Sequence, residues 1–241
     1  MRVPRIHTGQ VLQSGSVIEL EPGAAQHLAR ALRMSAGDRV VLFNGHGGEY
    51  PSVLERAERK RVEVRVGERR DGVEASPLAI HLGISISRGE RMDWVVQKAT
   101  ELGASELTPL FTERTEVKLE DERSQKKLRH WRQVAISACE QCGRNDVPDI
   151  NPPAGLREWL ASTRAERRYV LHHRASDRPA ADTAPASIAL LVGPEGGLGT
   201  TEIAAAEQAG FEALALGPRV LRTETAPLAA IAILQSRWGD M

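Results

Sequence analysis

Cysteine is scarce in this chain. There are two, Cys139 and Cys142, spaced Cys-x-x-Cys with no second pair. Structural zinc needs about four ligands, so a metal site is not expected. The redox reading wants the pair at a strand-to-helix junction, whereas here it falls at the end of a long amphipathic helix. Two reduced, partly packed thiols are the expectation. Long apolar runs are missing as well. None approaches the roughly eighteen residues that a membrane helix requires. Met1-Arg2-Val3-Pro4-Arg5 leads into no apolar segment of the secretory kind, so a cytoplasmic protein is expected. An excess of charge is also absent: 32 basic residues balance 32 acidic ones. The balance is uneven along the chain. Residues 1–70 hold twelve Arg and Lys against eight Asp and Glu, and residues 71–241 hold twenty against twenty-four. This asymmetry favours a nucleic-acid role for the N-terminal part, although a solvated basic face would look the same.

Residues 1–70 read as a small β-barrel with one inserted helix. Arg39–Phe43 is a strand, Asn44–Gly48 a turn, and Glu49–Leu54 the returning strand. Val62, Val64 and Val66 alternate with charged residues, which gives one buried and one wet face. Ala24–Leu32 reads as a short helix with Leu28, Ala31 and Leu32 inward and Arg30 and Arg33 outward. Gly67–Pro77 is a linker.

Residues 71–241 read as alternating strands and helices, the pattern of a parallel α/β sheet. Leu78–Ile86 is the first strand, with a loop at Arg88–Arg91. Met92–Leu102 is a helix with an apolar stripe and a polar one that carries Trp94, Gln97, Lys98 and Glu101. Leu107–Phe111 is a strand, with Arg114 just beyond its carboxyl end. Ser124 caps a helix from Gln125 to Cys142 whose buried stripe is Leu128, Trp131, Ala135, Ala138 and Cys142. Leu156–Ser162 is a short helix, Arg168–His172 a strand and Ser176–Ser187 a surface loop. His172 and His173 are adjacent, so on a strand they point to opposite faces and do not share a metal.

The richest stretch is Ile188–Trp238. Leu190-Leu191-Val192 runs into Gly193-Pro194-Glu195-Gly196-Gly197-Leu198-Gly199, and Ala213–Leu216 runs into Gly217. Four glycines in seven residues suit either a binding loop or a plain turn. The order is neither Gly-x-Gly-x-x-Gly nor a phosphate P-loop. Ligands of parallel sheets bind at the carboxyl ends of strands, where both loops would lie.

Val192–Gly197 with Leu216-Gly217 and Leu221-Arg222-Thr223-Glu224-Thr225-Ala226 resembles the cofactor end of the SPOUT methyltransferases. Within that superfamily the chain is similar to the bacterial 16S ribosomal RNA uridine-N3 methyltransferases. Gln97–Gly103 and Glu140–Asn145 resemble further motifs of that family. The resemblance implies a knotted parallel sheet with helices on both faces, a trefoil knot, and an RNA-binding PUA-like domain at residues 1–70. It implies S-adenosylmethionine as cofactor, 16S rRNA of the small subunit as substrate, and a homodimer without metal. On that footing Leu171, His172, Gly193, Pro194, Gly197, Leu216, Gly217, Leu221, Arg222, Thr225 and Ala226 are the cofactor candidates. Arg222 is the candidate for stabilising an imide anion, unless it pairs with Glu195 or Glu224; Glu101 and Glu140 are candidate bases. Arg5, Arg30, Arg33, Lys98, Arg114 and Arg144 are candidate RNA-binding residues. The stripe of Lys98 and Glu101 has a plainer reading, a solvated ion pair. The rival activities are ribose 2′-O or guanine-N1 methylation, or a non-catalytic RNA-binding assembly factor.

Overall fold

The computed structural model describes residues 3–58, 61–116, 121–172 and 183–241. The chain divides into two compact units: Met1–Ala75 with Ile136–Val147, and Ser76–Ala135 with Pro148–Met241.

The first unit is built on a five-stranded sheet. Its elements are β1 (Arg5–His7), β2 (Val17–Glu19), α1 (Pro22–Gln26), β3 (Arg39–Phe43), β4 (Tyr50–Ala57) and β5 (Val62–Arg65), paired in the order β1-β3-β4-β5-β2. The alternation of Val62, Val64 and Val66 is observed, and all three are buried with Ile6, Leu28, Leu42 and Leu54. The short helix differs from expectation. After α1 the backbone widens into a π-helical turn, His27–Ala31, in which Leu32 N donates to His27 O at 3.0 Å. The wider turn shifts the phase of the side chains. Ala25 and Leu28 face the core, while Ala31 and Leu32 are exposed with Arg30 and Arg33.

The second unit is a seven-stranded parallel sheet. It comprises β6 (Ala79–Ser85), α2 (Arg91–Glu101), β7 (Glu106–Phe111), α3 (Asp121–Cys142), β8 (Asp149–Ile150), β9 (Ala154–Gly155), α4 (Leu156–Ser162), β10 (Arg167–Leu171), β11 (Ser187–Val192), α5 (Thr200–Gln208), β12 (Glu212–Leu214) and α6 (Ala226–Trp238). Strand order is β12-β10-β11-β6-β7-β8, with β9 also on β7. A parallel sheet must be covered on both faces, because its crossovers place helices there. On one face Ile80, Leu82, Ile84, Ile188 and Leu190 pack with Val95, Val96, Trp131, Ala230 and Ile231 of α2, α3 and α6. On the other, Leu110, Val170 and Leu191 meet Trp159 and Leu160 of α4 and Ala206 of α5. Gly83 lies at the centre of this second face. A Cβ there would sit 2.4 Å from the Trp159 ring, so only glycine lets the indole close over the strand.

Several boundaries shift. Arg91 opens α2 instead of closing a loop, and the strand expected at Arg168–His172 is Arg167–Leu171. Helix α3 starts at Asp121, which leaves Ser124 inside it rather than at its cap. On the same helix Cys139, not Cys142, is fully buried, and both thiols are free. A helix turns about 100° per residue, so one misplaced residue moves the stripe. His173 and most of the loop expected at Ser176–Ser187 lie outside the described residues.

Candidate active site

Both glycine loops end strands of the second unit, and they meet over a cavity of about 670 Å³. That is within the usual size of a small-molecule site, roughly 300–1,000 Å³. Strand β11 delivers Val192 into Gly193–Leu198. Strand β10 ends at Leu171, and His172 follows it. The chain after β12 supplies Leu216, Gly217 and Leu221, and the start of α6 adds Ala226.

The glycine loop is held from three sides. Gly197 N donates to Pro194 O at 2.8 Å, closing a tight turn in which Gly197 has φ +68°. Arg114 Nη1 donates to Gly196 O at 2.6 Å, and Arg91 Nη1 donates to Glu195 Oε1 at 2.5 Å. The Glu202 carboxylate accepts the N–H of Gly199 and that of Glu113, each at 2.8 Å. Glu202 thereby ties the start of α5 to the loop after β7. A Cβ on Gly197 or Gly217 would meet nothing within 4 Å, so both open onto free space in the cavity.

Of the residues expected from sequence, Leu171, His172, Gly193, Pro194, Gly197, Leu216, Gly217, Leu221, Arg222, Ala226 and Arg114 line this cavity together. Thr225 is adjacent to it in sequence but is not a lining residue. Arg222 is exposed, and among the described residues its guanidinium forms no ion pair; Glu195 is engaged by Arg91 instead. Glu101 and Lys98 are not lining residues. They pair with each other at 2.7 Å on α2, and Lys98 lies 5.1 Å above the Trp94 ring. Glu140 belongs to the first unit, where it accepts His7 N–H at 3.0 Å. Burial pushes its carboxyl above the ordinary value, against the smaller opposing effects of that bond and of His27.

The basic candidates of the first unit separate by exposure. Arg30 and Arg33 project into solvent. Arg5 is largely but not fully buried: it pairs with Glu49 at 2.5 Å and also donates to Arg144 O and Asn145 Oδ1. Arg144 is paired with Asp146. These two hold the unit together and have no guanidinium free to meet a phosphate. Arg91, Arg219 and Val220 also line the cavity but were not singled out from the sequence. For Arg219 and Val220 the only signal was their place between Gly217 and Leu221, and for Arg91 there was none.

The chain matches a model described as an RNA methyltransferase domain over residues 74–235, and one described as an RNA methyltransferase PUA domain over residues 20–67. It is 36% identical to the ribosomal RNA small subunit methyltransferase E of Buchnera aphidicola from Schizaphis graminum, over 100% of this chain and 98% of that one. Among solved structures, a Legionella pneumophila protein in complex with SAM is 42% identical, with a TM-score of 0.96 over 100% of both chains. The ribosomal RNA small subunit methyltransferase E of Neisseria gonorrhoeae, bound to S-adenosyl methionine, is 38% identical with a TM-score of 0.93 over 100% of both. With matches of this extent and a glycine-loop cavity at the strand ends, the chain belongs to the ribosomal RNA small subunit methyltransferase E family.

Proposed function

We propose that this protein transfers a methyl group from S-adenosylmethionine to N3 of a uridine in 16S ribosomal RNA, acting as a homodimer. The observation that carries the reading is a cavity that joins two glycine loops and Arg222, which is without an ion pair among the described residues, at the carboxyl ends of a parallel sheet. The lining fits the cofactor. Leu171, Leu216 and Leu221 offer apolar surface to an adenine, while loop N–H and C=O groups can read its edge. The open space beside Gly197 and Gly217 admits a ligand against the backbone. When bound, the cofactor supplies a methyl group on a sulfonium, a good leaving group.

The chain's own task is to hold uridine N3 in line with that methyl and to manage the N3 proton. Loss of the proton puts negative charge on the uracil imide. We assign its stabilisation to Arg222, a lining arginine without an ion pair among the described residues. The titratable groups of the lining are His172, Glu195 and Glu224, with Glu195 engaged by Arg91. His172 and Glu224 are therefore better placed than Glu101 to accept the proton. Arg30 and Arg33 are the exposed cations with which the first unit would meet RNA.

Mass spectrometry of 16S rRNA from a strain lacking the gene tests this reading. One N3-methyluridine should disappear, return with the wild-type gene, and stay absent with Arg222→Ala. Disappearance of a ribose methyl or a methylguanosine instead would overturn the N3 assignment.

A further inference from the structure

The mouth of the cavity carries an excess of positive charge that the cofactor does not explain. Arg91, Arg114, Arg219 and Arg222 all line it, against two carboxylates, Glu195 and Glu224. Glu195 is already engaged by Arg91. This cationic mouth sits in an acidic stretch: residues 71–241 hold twenty basic residues and twenty-four acidic ones. S-adenosylmethionine carries a sulfonium, an ammonium and a carboxylate, a net charge of about +1 at neutral pH. A set of guanidiniums therefore repels it. The ligand such a set attracts is a polyanion, and guanidiniums bind phosphates through paired N–H donors. Arg219 stands on the exposed segment Gly217–Val220 and, among the described residues, makes no ion pair. Beside it the apolar side chain of Val220 is 78% exposed.

We infer that Arg114, Arg219 and Arg222 form a phosphate-binding collar for the substrate RNA at the mouth of the cofactor cavity, while Arg91 is held by Glu195. The inference rests on the reading of the protein as an RNA methyltransferase. Phosphates seated on the collar cancel the charge that opposes the cationic cofactor. RNA and cofactor then tighten each other's binding by the same factor, since coupling between two sites is reciprocal.

The test uses the full-length protein with small ribosomal subunits from a strain lacking the gene, and with S-adenosylmethionine alone. Arg219→Gln should raise KM for the subunits about tenfold, the order expected for one charged hydrogen bond. The slope of log Kd for the subunits against log salt should fall by about one. The Kd for S-adenosylmethionine alone, read by calorimetry, should stay equal or tighten. Weaker cofactor binding with an unchanged salt slope would overturn the collar, because Arg219 would then serve the cofactor. So would a change of sedimentation coefficient, which would place Arg219 in an interface between copies. An unchanged KM and salt slope would overturn it as well. Failure of the wild type to methylate the subunits would instead strike at the functional reading, and the salt slope of binding would still report on the collar by itself.

Discussion

At the scale of single residues, backbone strain and buried nitrogens give the sharpest expectations. Gly197 has φ +68°, a conformation that β-branched side chains adopt only with strain. Gly197→Val should abolish measurable S-adenosylmethionine binding in calorimetry while the fold survives, as circular dichroism would show. Unchanged affinity in a folded variant would refute the site. His81 gives a pH prediction. Trp159 Nε1 donates to His81 Nε2 at 3.1 Å, so that nitrogen is the acceptor, and Nδ1 faces Glu106 at 3.3 Å. Burial lowers the pKa of His81 below its ordinary 6.5, outweighing the opposing effect of Glu106. A depressed folded pKa means that the unfolded chain takes up the proton first. The stability contribution is present above pH about 6.5 and is lost as pH falls toward the folded value. His81→Gln should flatten the slope of denaturation free energy between pH 7 and 5; an equal slope in both proteins would show that His81 does not set it.

At the scale of elements, β6 and α6 show how a single position is judged by its face. The strand's apolar alternation, Ile80, Leu82 and Ile84, was readable and marks the face under α2 and α6. Nothing in the pattern announced that the opposite face at Gly83 would be closed by Trp159. Gly83→Ala should cost about 1–3 kcal/mol in urea unfolding, because the indole must move. On α6 every residue from Leu228 to Leu234 is apolar. In the structure Ile231 is fully buried and Ile233 is 53% exposed. Ile231→Glu should leave a protomer that does not fold, since it buries a charge. Ile233→Glu should leave the fold intact and move the sedimentation coefficient of a dimer to that of a monomer. A wild type sedimenting at 26.3 kDa with full activity would remove the dimer as a requirement.

For the molecule as a whole, the division into units changes how the N-terminal part must be tested. The first unit includes Ile136–Val147, so Ala138, Cys139 and Asn145 are buried within it. Deleting residues 1–70 would strip their cover and expose the end of α3. Substitution is the cleaner experiment. Arg30→Gln with Arg33→Gln, both exposed, should weaken binding of small ribosomal subunits and leave cofactor affinity unchanged. The salt slope of binding should fall by about one for each phosphate that the arginines no longer neutralise. Equal affinity at all salt concentrations would show that the first unit does not grip RNA through these residues.

Local regularities of the chain determined the longer strands, most of the helices and the parallel α/β class, because alternation and helical spacing are properties of neighbours in sequence; the short strands β1, β2, β8 and β9 carried no such pattern. The two glycine motifs also marked both loops of the cavity. What required the tertiary structure was anything set by distant residues. Arg5 and Arg144 read as free cations, yet Glu49, Asn145 and Asp146 occupy them. Glu202 reads as one more surface acid of α5, yet it holds two backbone N–H groups from separate loops. The phase of the turn at His27–Ala31 and the choice of Cys139 over Cys142 for burial depend on a shift of one residue in winding or in stripe. Arg91 and Arg219 lie outside both motifs in a chain of zero net charge, and only the fold brings the start of α2 and the segment after β12 to one cavity.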